Sequence, residues 1–129
     1  MSIAPWTVLA AAILPVLTVG MAKFSGGGYD NNHPRDWAVS LSGFRRRAYA
    51  AHLNHYEFFP FFAAAALFAE IRLNGASFVG PLALAILAAR LVYTGAYVAD
   101  RPNLRSLAWF VAWMGTAGLF AAAALGKQG

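Results

Sequence analysis

Four long apolar stretches in this 129-residue chain restrict its fold more than any other feature. They are Ile3–Ala22, Phe58–Ala69, Phe78–Val98 and Leu104–Leu125. A helix needs about 20 residues to cross the hydrocarbon core of a bilayer, and three of the stretches are that long by themselves. The second reaches this length only if its helix extends back through Ala48. We therefore predict an all-α fold, an integral membrane four-helix bundle. The predicted helices are 3–24, 44–72, 77–99 and 103–126, in one domain covering 1–129.

The composition supports a membrane protein. Hydrophobic residues make up 60% of the chain and charged residues 12%, whereas soluble domains carry about 25% charged residues. The chain has no cysteine, so it forms no disulfide and supplies no thiolate of its own. The first apolar stretch indicates a retained helix rather than a signal peptide, because its basic residue, Lys23, follows the apolar run instead of preceding it.

The basic residues are distributed unevenly between the two ends of the predicted helices. Seven lie in the connections after the first and third helices: Lys23, Arg35, Arg45, Arg46, Arg47, Arg101 and Arg105. Two, Arg72 and Lys127, lie at the other end. Because basic loops stay in the cytoplasm, we expect both termini on the non-cytoplasmic side. Topology then explains the net charge of +5. We expect the run of three arginines to meet anionic lipid headgroups, and no nucleic acid as a partner.

The predicted helices are joined by two short connections and one long one. Asn74-Gly75 predicts a tight hairpin, and the segment Asp100–Asn103, which contains Pro102, predicts a second break. The segment Ser25–Ser42 is predicted as a loop. A loop of this length indicates either a function or disorder.

Glu57 and Arg90 are ionisable residues inside two of the apolar helices. Charge within a bilayer is costly, so residues of this kind indicate a functional site. Polar residues accompany each at helical spacing, as Asn54-x-x-Glu57 and Arg90-x-x-Tyr93-x-x-x-Tyr97. This spacing places each set on one stripe of its helix. The two stripes together predict a polar pocket in the membrane.

Counting residues from the hairpin predicts which residues lie at the same depth. At 1.5 Å per residue, Glu57 and Arg90 each lie about 20 Å from the outer ends of their helices. The same count predicts three level pairs: Glu57 with Arg90, Asn54 with Tyr93, and Ala50 with Tyr97. We therefore predict a polar funnel with a Glu57–Arg90 ion pair at its base. Its cytoplasmic mouth carries Arg47, Arg101 and Arg105.

Two segments resemble the MAPEG family, the membrane-associated proteins in eicosanoid and glutathione metabolism. Arg47–Phe61 resembles the family's second-helix signature, an arginine-led approach to Asn-x-x-Glu-x-x-Pro. Arg90–Ser106 resembles the third-helix tyrosines and following arginine of leukotriene C synthases and microsomal prostaglandin E synthases. Tyr29–Arg35 resembles bacterial members, which implies a bacterial inner membrane protein.

The resemblance implies a homotrimer that binds glutathione between neighbouring subunits. In this arrangement Arg105 is the catalytic residue and stabilises the glutathione thiolate. The residues implied to hold the peptide are Asn54, Glu57, Arg90, Tyr93 and Tyr97. Glutathione carries two carboxylates and an amine, so the site needs several cations and one anion. That charge balance adds Arg47 and Arg101. The implied function is a membrane-bound glutathione-dependent transferase or peroxidase for lipophilic electrophiles, with glutathione as co-substrate and no metal.

The chain departs from several characterised members at Ala50, where they have an arginine four residues before the asparagine. This departure favours an alternative, a non-catalytic MAPEG-fold subunit of a larger membrane protein complex. A further alternative is a lipid-binding scaffold whose funnel holds a phospholipid headgroup.

Each candidate residue also has a purely structural interpretation. Glu57 and Arg90 would then be an ion pair that fixes helix register. The two tyrosines would be packing aromatics, and Arg105 a topology determinant. His52 and His55 have the spacing of a metal-binding pair, but they lack a third ligand unless Glu57 supplies one.

Overall fold

The structure is a computed structural model that describes residues 2–126. Lys127, which enters the charge count above, lies outside the described residues. The described chain forms five helices: α1 (Ala4–Phe24), α2 (Pro34–Ser40), α3 (Gly43–Arg72), α4 (Val79–Val98) and α5 (Pro102–Leu125). No end of the four long helices differs by more than two residues from the range expected from sequence.

The short helix α2 was not predicted, since the sequence indicated a loop throughout Ser25–Ser42. Pro34 occupies the start of α2, where a missing N–H costs nothing, and Asp36 lies near the positive end of the helix dipole. Trp37 and Ala38 are buried in a cluster with Ala22 of α1 and Ala48 of α3. This packing stabilises a segment that is too short to be helical alone.

Two tight turns reverse the chain where the sequence predicted breaks. Asn74 and Gly75 have φ of +47° and +72°, a conformation that asparagine and glycine adopt more readily than other residues. The second turn contains Asp100, with φ of +58°. The N–H of Arg101 donates to the carbonyl of Ala96 at 2.8 Å and ends α4. The structure thus confirms the predicted breaks.

The long helices pack through small residues. α1 packs mainly against α3, and α4 against α5, while α3 also contacts α4 and α5. The fully buried alanines of the main core are Ala4, Ala66, Ala69, Ala83, Ala112 and Ala123. Phe58, Phe62, Ile86 and Leu119 fill the space between them. Alanine lets helix backbones approach closely, and this contact drives helix association where lipid surrounds the helices.

Three helices, α1, α4 and α5, have the length and the apolar composition needed to cross a membrane. α3 is longer than any of them but more polar, because it carries Arg45–Arg47, Asn54 and Glu57. The polar residues are thus concentrated on one helix, which contacts α1, α4 and α5.

Candidate functional site

Arg90 of α4 is buried, with only 1% of its surface exposed. Its Nη2 donates to Asn54 Oδ1 at 2.9 Å and to His55 Nδ1 at 2.8 Å, and both acceptors lie on α3. The guanidinium carbon lies 4.5 Å from the ring centroid of Phe58 and 4.2 Å from that of Tyr93. Two hydrogen-bond acceptors and the rings of Phe58 and Tyr93 therefore stabilise this buried cation.

The hydrogen bonds around Arg90 run in one consistent direction. Arginine can only donate, so His55 Nδ1 accepts, and the imidazole proton is on Nε2. Nε2 then donates to Thr94 Oγ1 at 2.8 Å, and the Thr94 hydroxyl donates to the Arg90 carbonyl at 2.9 Å. His55 is therefore neutral. The chain of hydrogen bonds begins at the Arg90 side chain and ends at the Arg90 carbonyl.

The predicted Glu57–Arg90 ion pair does not form within the described part of the chain. Glu57 is exposed on α3, and its Oε2 accepts a hydrogen bond from Asn54 Nδ2 at 3.2 Å. Successive helical residues are rotated by about 100°. His55 consequently faces α4, and Glu57 faces away from it. Asn54 lies on α3 between the face of His55 and the face of Glu57, and its side chain is hydrogen-bonded to both Glu57 and Arg90.

Two buried donors of Arg90, Nε and Nη1, have no hydrogen-bond partner among residues 2–126. A buried donor without a partner costs about 1–3 kcal/mol. Glu57 is connected to Arg90 only indirectly, because Asn54 is hydrogen-bonded to both residues. The space between α3 and α4 therefore carries a positive charge that an adjacent anion or carbonyl group would stabilise.

Tyr93, Tyr97 and Arg105 form a second cluster next to Arg90. The rings of Tyr93 and Tyr97 pack edge to face with centroids 5.6 Å apart, and the guanidinium carbon of Arg105 lies 4.5 Å from the Tyr97 centroid. A cavity of about 240 Å³ is lined by Tyr93, Tyr97, Arg105, Ser106 and Trp109. No hydrogen bond joins the Arg105 guanidinium to another described residue, so its donors are available to an anion in this cavity.

Arg47 is bound to a backbone carbonyl. Its Nε and Nη2 donate to the carbonyl oxygen of Val98 at 3.2 and 3.1 Å. This carbonyl is at the C-terminal end of α4, where a cation also stabilises the helix dipole. A cavity of about 400 Å³ is lined by Gly43, Arg46, Arg47, Ala50 and Tyr97. Ala50 and Tyr97 face the same cavity, in agreement with the predicted register.

Arg101 is exposed at the position before α5. Its carbonyl accepts the N–H of Arg105 at 2.9 Å and thus helps to form the first turn of α5. The eight predicted residues therefore fall into three groups. Asn54, Glu57 and Arg90 form one cluster; Tyr93, Tyr97 and Arg105 form the next; Arg47 and Arg101 lie at the helix ends beside it. The stacking of Arg90 on Tyr93 connects the first two groups.

Sequence reasoning missed the roles of His55 and Thr94. A usable signal was present for His55, because it lies four residues after Ala51 and three before Phe58, and both of these are buried. That spacing puts His55 on the apolar stripe of α3, away from Glu57. Thr94 is four residues after Arg90, but a threonine inside an apolar helix has no distinctive pattern.

His52 and His55 do not face a common ligand. His52 Nδ1 is hydrogen-bonded to the carbonyl of Tyr49, and its ring packs against Tyr49 and Tyr56 with centroids 4.5 and 5.8 Å away. His55 is engaged by Arg90 and Thr94. Within residues 2–126, no group of three or more histidine, aspartate or glutamate side chains is arranged to hold a metal ion.

Comparison with known proteins identifies a family. No curated protein and no solved structure gives a significant match. A model of the MAPEG family matches residues 3–125, a range that includes all five helices and all eight predicted site residues. This membrane family includes glutathione transferases and peroxidases. Because the match covers almost the whole length of the sequence, the chain belongs to the MAPEG family.

Proposed function

We propose that the protein is a membrane-bound glutathione-dependent transferase or peroxidase that acts on lipophilic electrophiles. The observation that carries this proposal is the uncommitted guanidinium of Arg105, which lines an open cavity with Tyr93 and Tyr97. Family membership supports the reaction class. The chain has no cysteine, so the thiol must come from the substrate.

Arg105 is the proposed catalytic residue because it can stabilise a thiolate. A cysteine thiol has a pKa of about 8.5 and is mostly protonated at neutral pH. A guanidinium beside the sulfur favours the anion by direct electrostatic attraction. The thiolate then attacks the electrophile and forms a carbon–sulfur bond, and the displaced electron pair leaves with the departing group. With a hydroperoxide, the thiolate instead takes the terminal oxygen as the oxygen–oxygen bond breaks, and the alkoxide takes a proton from solvent and leaves as the alcohol. A second glutathione then reduces the sulfenic acid, which gives glutathione disulfide and water.

The two clusters have the charges needed to bind the rest of glutathione. Glu57 is proposed to pair with the amine, and Asn54 to hydrogen-bond the peptide. Arg90 has two buried donors without a partner, Nε and Nη1, and a carbonyl or carboxylate would reach them only if the side chains that cover them move. Tyr93 and Tyr97 would bind the peptide next to the sulfur. Arg47 and Arg101 complete the set of cations at the cytoplasmic end, although Arg47 already donates to Val98.

The proposed assembly is a homotrimer of single-domain, four-helix subunits in which α3 is the fourth membrane-spanning helix. Glu57 supports this assembly. An exposed carboxylate midway along a membrane helix is unfavourable unless a ligand or neighbouring chain pairs with it. Glutathione between subunits would supply the pairing. We further propose a bacterial inner membrane location with both termini non-cytoplasmic. The subunit number is measured by analytical ultracentrifugation in density-matched detergent, where any mass other than three chains contradicts the trimer.

The thiolate of bound glutathione provides the test of function. Glutathione is titrated into the detergent-purified protein at neutral pH, and thiolate absorbance is recorded in the ultraviolet. We expect a saturable signal that falls at least about tenfold in Arg105→Gln, because one pKa unit changes the thiolate fraction tenfold. Arg72→Gln is the matched control, since it removes the same charge at the C-terminal end of α3, away from the Arg105 cavity. An unchanged signal in Arg105→Gln contradicts the proposed role.

Ala50 favours a second candidate, a non-catalytic subunit of a larger membrane protein complex. Ala50 lines the cavity beside Tyr97 and leaves that wall without a cation at this position. Two results together would select this candidate: no glutathione binding at millimolar concentration, and stoichiometric copurification with other membrane chains. Saturable binding with a thiolate signal excludes it.

A further inference from the structure

Three consecutive arginines at the start of α3 have three different environments. Arg45 donates from Nε to the carbonyl of Ala22 at 2.8 Å and from Nη1 to that of Gly27 at 3.0 Å. Arg47 donates to the carbonyl of Val98. Arg46 is exposed, and no hydrogen bond connects it to any residue that the structure describes. The two outer arginines therefore hold the ends of α1 and α4, and the middle one remains available.

Arg46 lines the cavity beside Tyr97 on one side and, on the other, a groove between α2 and α3 that has no residue in common with the Arg105 cavity. The groove has a volume of about 320 Å³ and is lined by Arg35, Ala38, Val39, Arg46, Tyr49, Ala50 and Leu53. Apart from the two arginines and the tyrosine hydroxyl, this lining is apolar, and none of the seven residues is acidic. Val39 is 79% exposed, and Leu53 is 44% exposed. Two cations next to an apolar surface match a ligand with an anionic head and a hydrocarbon tail.

We propose that this groove binds one anionic phospholipid. The phosphate accepts hydrogen bonds from Arg35 and Arg46, and an acyl chain lies along Val39, Ala50 and Leu53. Arg46 and Leu53 are seven residues apart, which is about 10 Å along the helix axis. This distance is suitable for a lipid whose headgroup is at the arginines and whose first methylene groups contact the leucine.

The chemistry of the lining distinguishes this ligand from related ones. A zwitterionic lipid would place its ammonium group beside two guanidiniums without an acidic partner in the groove. Inorganic phosphate would use the arginines but leave the apolar surface uncovered. Guanidinium groups form paired hydrogen bonds with phosphate oxygens, and burial of each methylene group adds to affinity. The groove shares Arg46 and Ala50 with the cavity beside Tyr97, whereas Arg35, Val39 and Leu53 have no part in the proposed glutathione site. The lipid proposal is therefore tested at Arg35 and Val39, which belong to the groove alone.

The test measures lipid binding by the detergent-purified protein. Dioleoylphosphatidylglycerol, dioleoylphosphatidylcholine and inorganic phosphate are titrated separately. The readouts are the rise in Tm and the number of lipids retained in native mass spectrometry. We expect phosphatidylglycerol to raise Tm and to remain bound at one per chain. Phosphatidylcholine and phosphate should have much smaller effects. Equal retention of the two lipids, or equal protection by phosphate alone, would overturn the proposal.

Variants locate the binding site. Arg35→Gln and Arg46→Gln should each weaken phosphatidylglycerol binding at least about tenfold, the loss expected for one charge-assisted contact. Arg72→Gln is the matched control and should retain wild-type binding. Val39→Ser changes no charge but removes apolar surface from the groove, so it should also weaken binding. Wild-type affinity in Arg35→Gln excludes the proposed headgroup contact, and wild-type affinity in Val39→Ser excludes the acyl-chain contact. Either result contradicts the site.

Discussion

Nη2 of Arg90 lies 2.8 Å from Nδ1 of His55, so a neutral histidine of α3 holds the buried cation of α4. The carboxylate expected to do this, Glu57, is exposed and reaches Arg90 only through Asn54. His55 and Thr94 fix the position of Arg90, and Glu57 remains exposed at the surface of the chain, where its hydrogen-bond partner is Asn54.

The first prediction concerns this pair. His55→Leu removes the acceptor of one Arg90 donor and the donor to Thr94, so it should lower the free energy of unfolding by about 1–2 kcal/mol. Thermal unfolding in detergent measures the effect. His33→Leu is the comparison, because it removes only an exposed hydrogen bond to Asp30 and should cost less than His55→Leu. A double-mutant cycle with Arg90→Met should show strong coupling, since each single change disrupts the same bond. Additive effects would contradict the pairing.

The arginine run provides a second prediction, in which three adjacent changes of equal charge have unequal effects. Arg45→Gln and Arg47→Gln remove hydrogen bonds to carbonyls at the ends of α1 and α4. Each should lower the free energy of unfolding by about 1 kcal/mol. Arg46→Gln is the matched control and should be near neutral when no anionic lipid is added. Chemical or thermal unfolding measures the loss of stability in each of the three variants. Equal losses at all three positions would mean that net charge alone matters.

Two glycines of α5 allow a third prediction about helix packing. A Cβ at Gly115 would lie 2.9 Å from Cγ1 of the buried Ile86, whereas a Cβ at Gly118 would meet no atom within 4 Å. Gly115→Ala should separate α4 from α5 and cost about 1–3 kcal/mol. Gly118→Ala should be neutral or slightly stabilising, because alanine favours a helix. The difference in Tm between the two variants is the measurement. Gly115→Ala with wild-type Tm contradicts the close contact.

A combination of variants checks the cause of that effect. Ile86→Ala removes the atom that the new methyl group would meet. The double variant with Gly115→Ala should therefore lose less stability than the sum of the two single losses. A fully additive loss would place the strain elsewhere.

A fourth prediction concerns pH and the loop before α2. A hydrogen bond with His33 at 3.0 Å, supported by the N–H of Asn32 at 2.8 Å, lowers the pKa of the Asp30 carboxyl below its usual value of 3.8. Because the folded-state pKa is lowered, this stabilisation is present above the unfolded value. It is lost as the pH falls through the lowered pKa. The chemical shift of the Asn32 amide proton should titrate with a midpoint below 3.8.

The matched variant for this titration is His33→Ala, which should move the midpoint up towards the ordinary value. Asp30→Asn should abolish the transition, and Asp36→Asn should leave it in place. A midpoint at or above 3.8 in the unmodified protein would contradict the hydrogen bond.

Local sequence predicted much of the helical framework because its signals act over a few residues. Asparagine and glycine tolerate positive φ better than other residues, so Asn74 and Gly75 favour a chain reversal, and Pro102 favours a helix start because its ring fixes φ. The segment Pro34–Ser40 was missed because its helix depends on burial of Trp37 against residues distant in the chain. A seven-residue helix has too few internal hydrogen bonds to be stable without that contact.

The sequence by itself determined the apolar lengths, the positions of the breaks, the presence of charge inside the helices and the resemblance to MAPEG proteins. The depth count also placed Ala50 level with Tyr97, and in the structure the two residues line one cavity. Only the tertiary structure decided the partner of Arg90. The rotation of α3 about its axis, set by the packing of Ala51, Phe58 and Phe62, directs His55 towards α4 and Glu57 away from it. Two residues along a helix amount to a rotation of about 200°, so a correct depth leaves the facing direction undetermined.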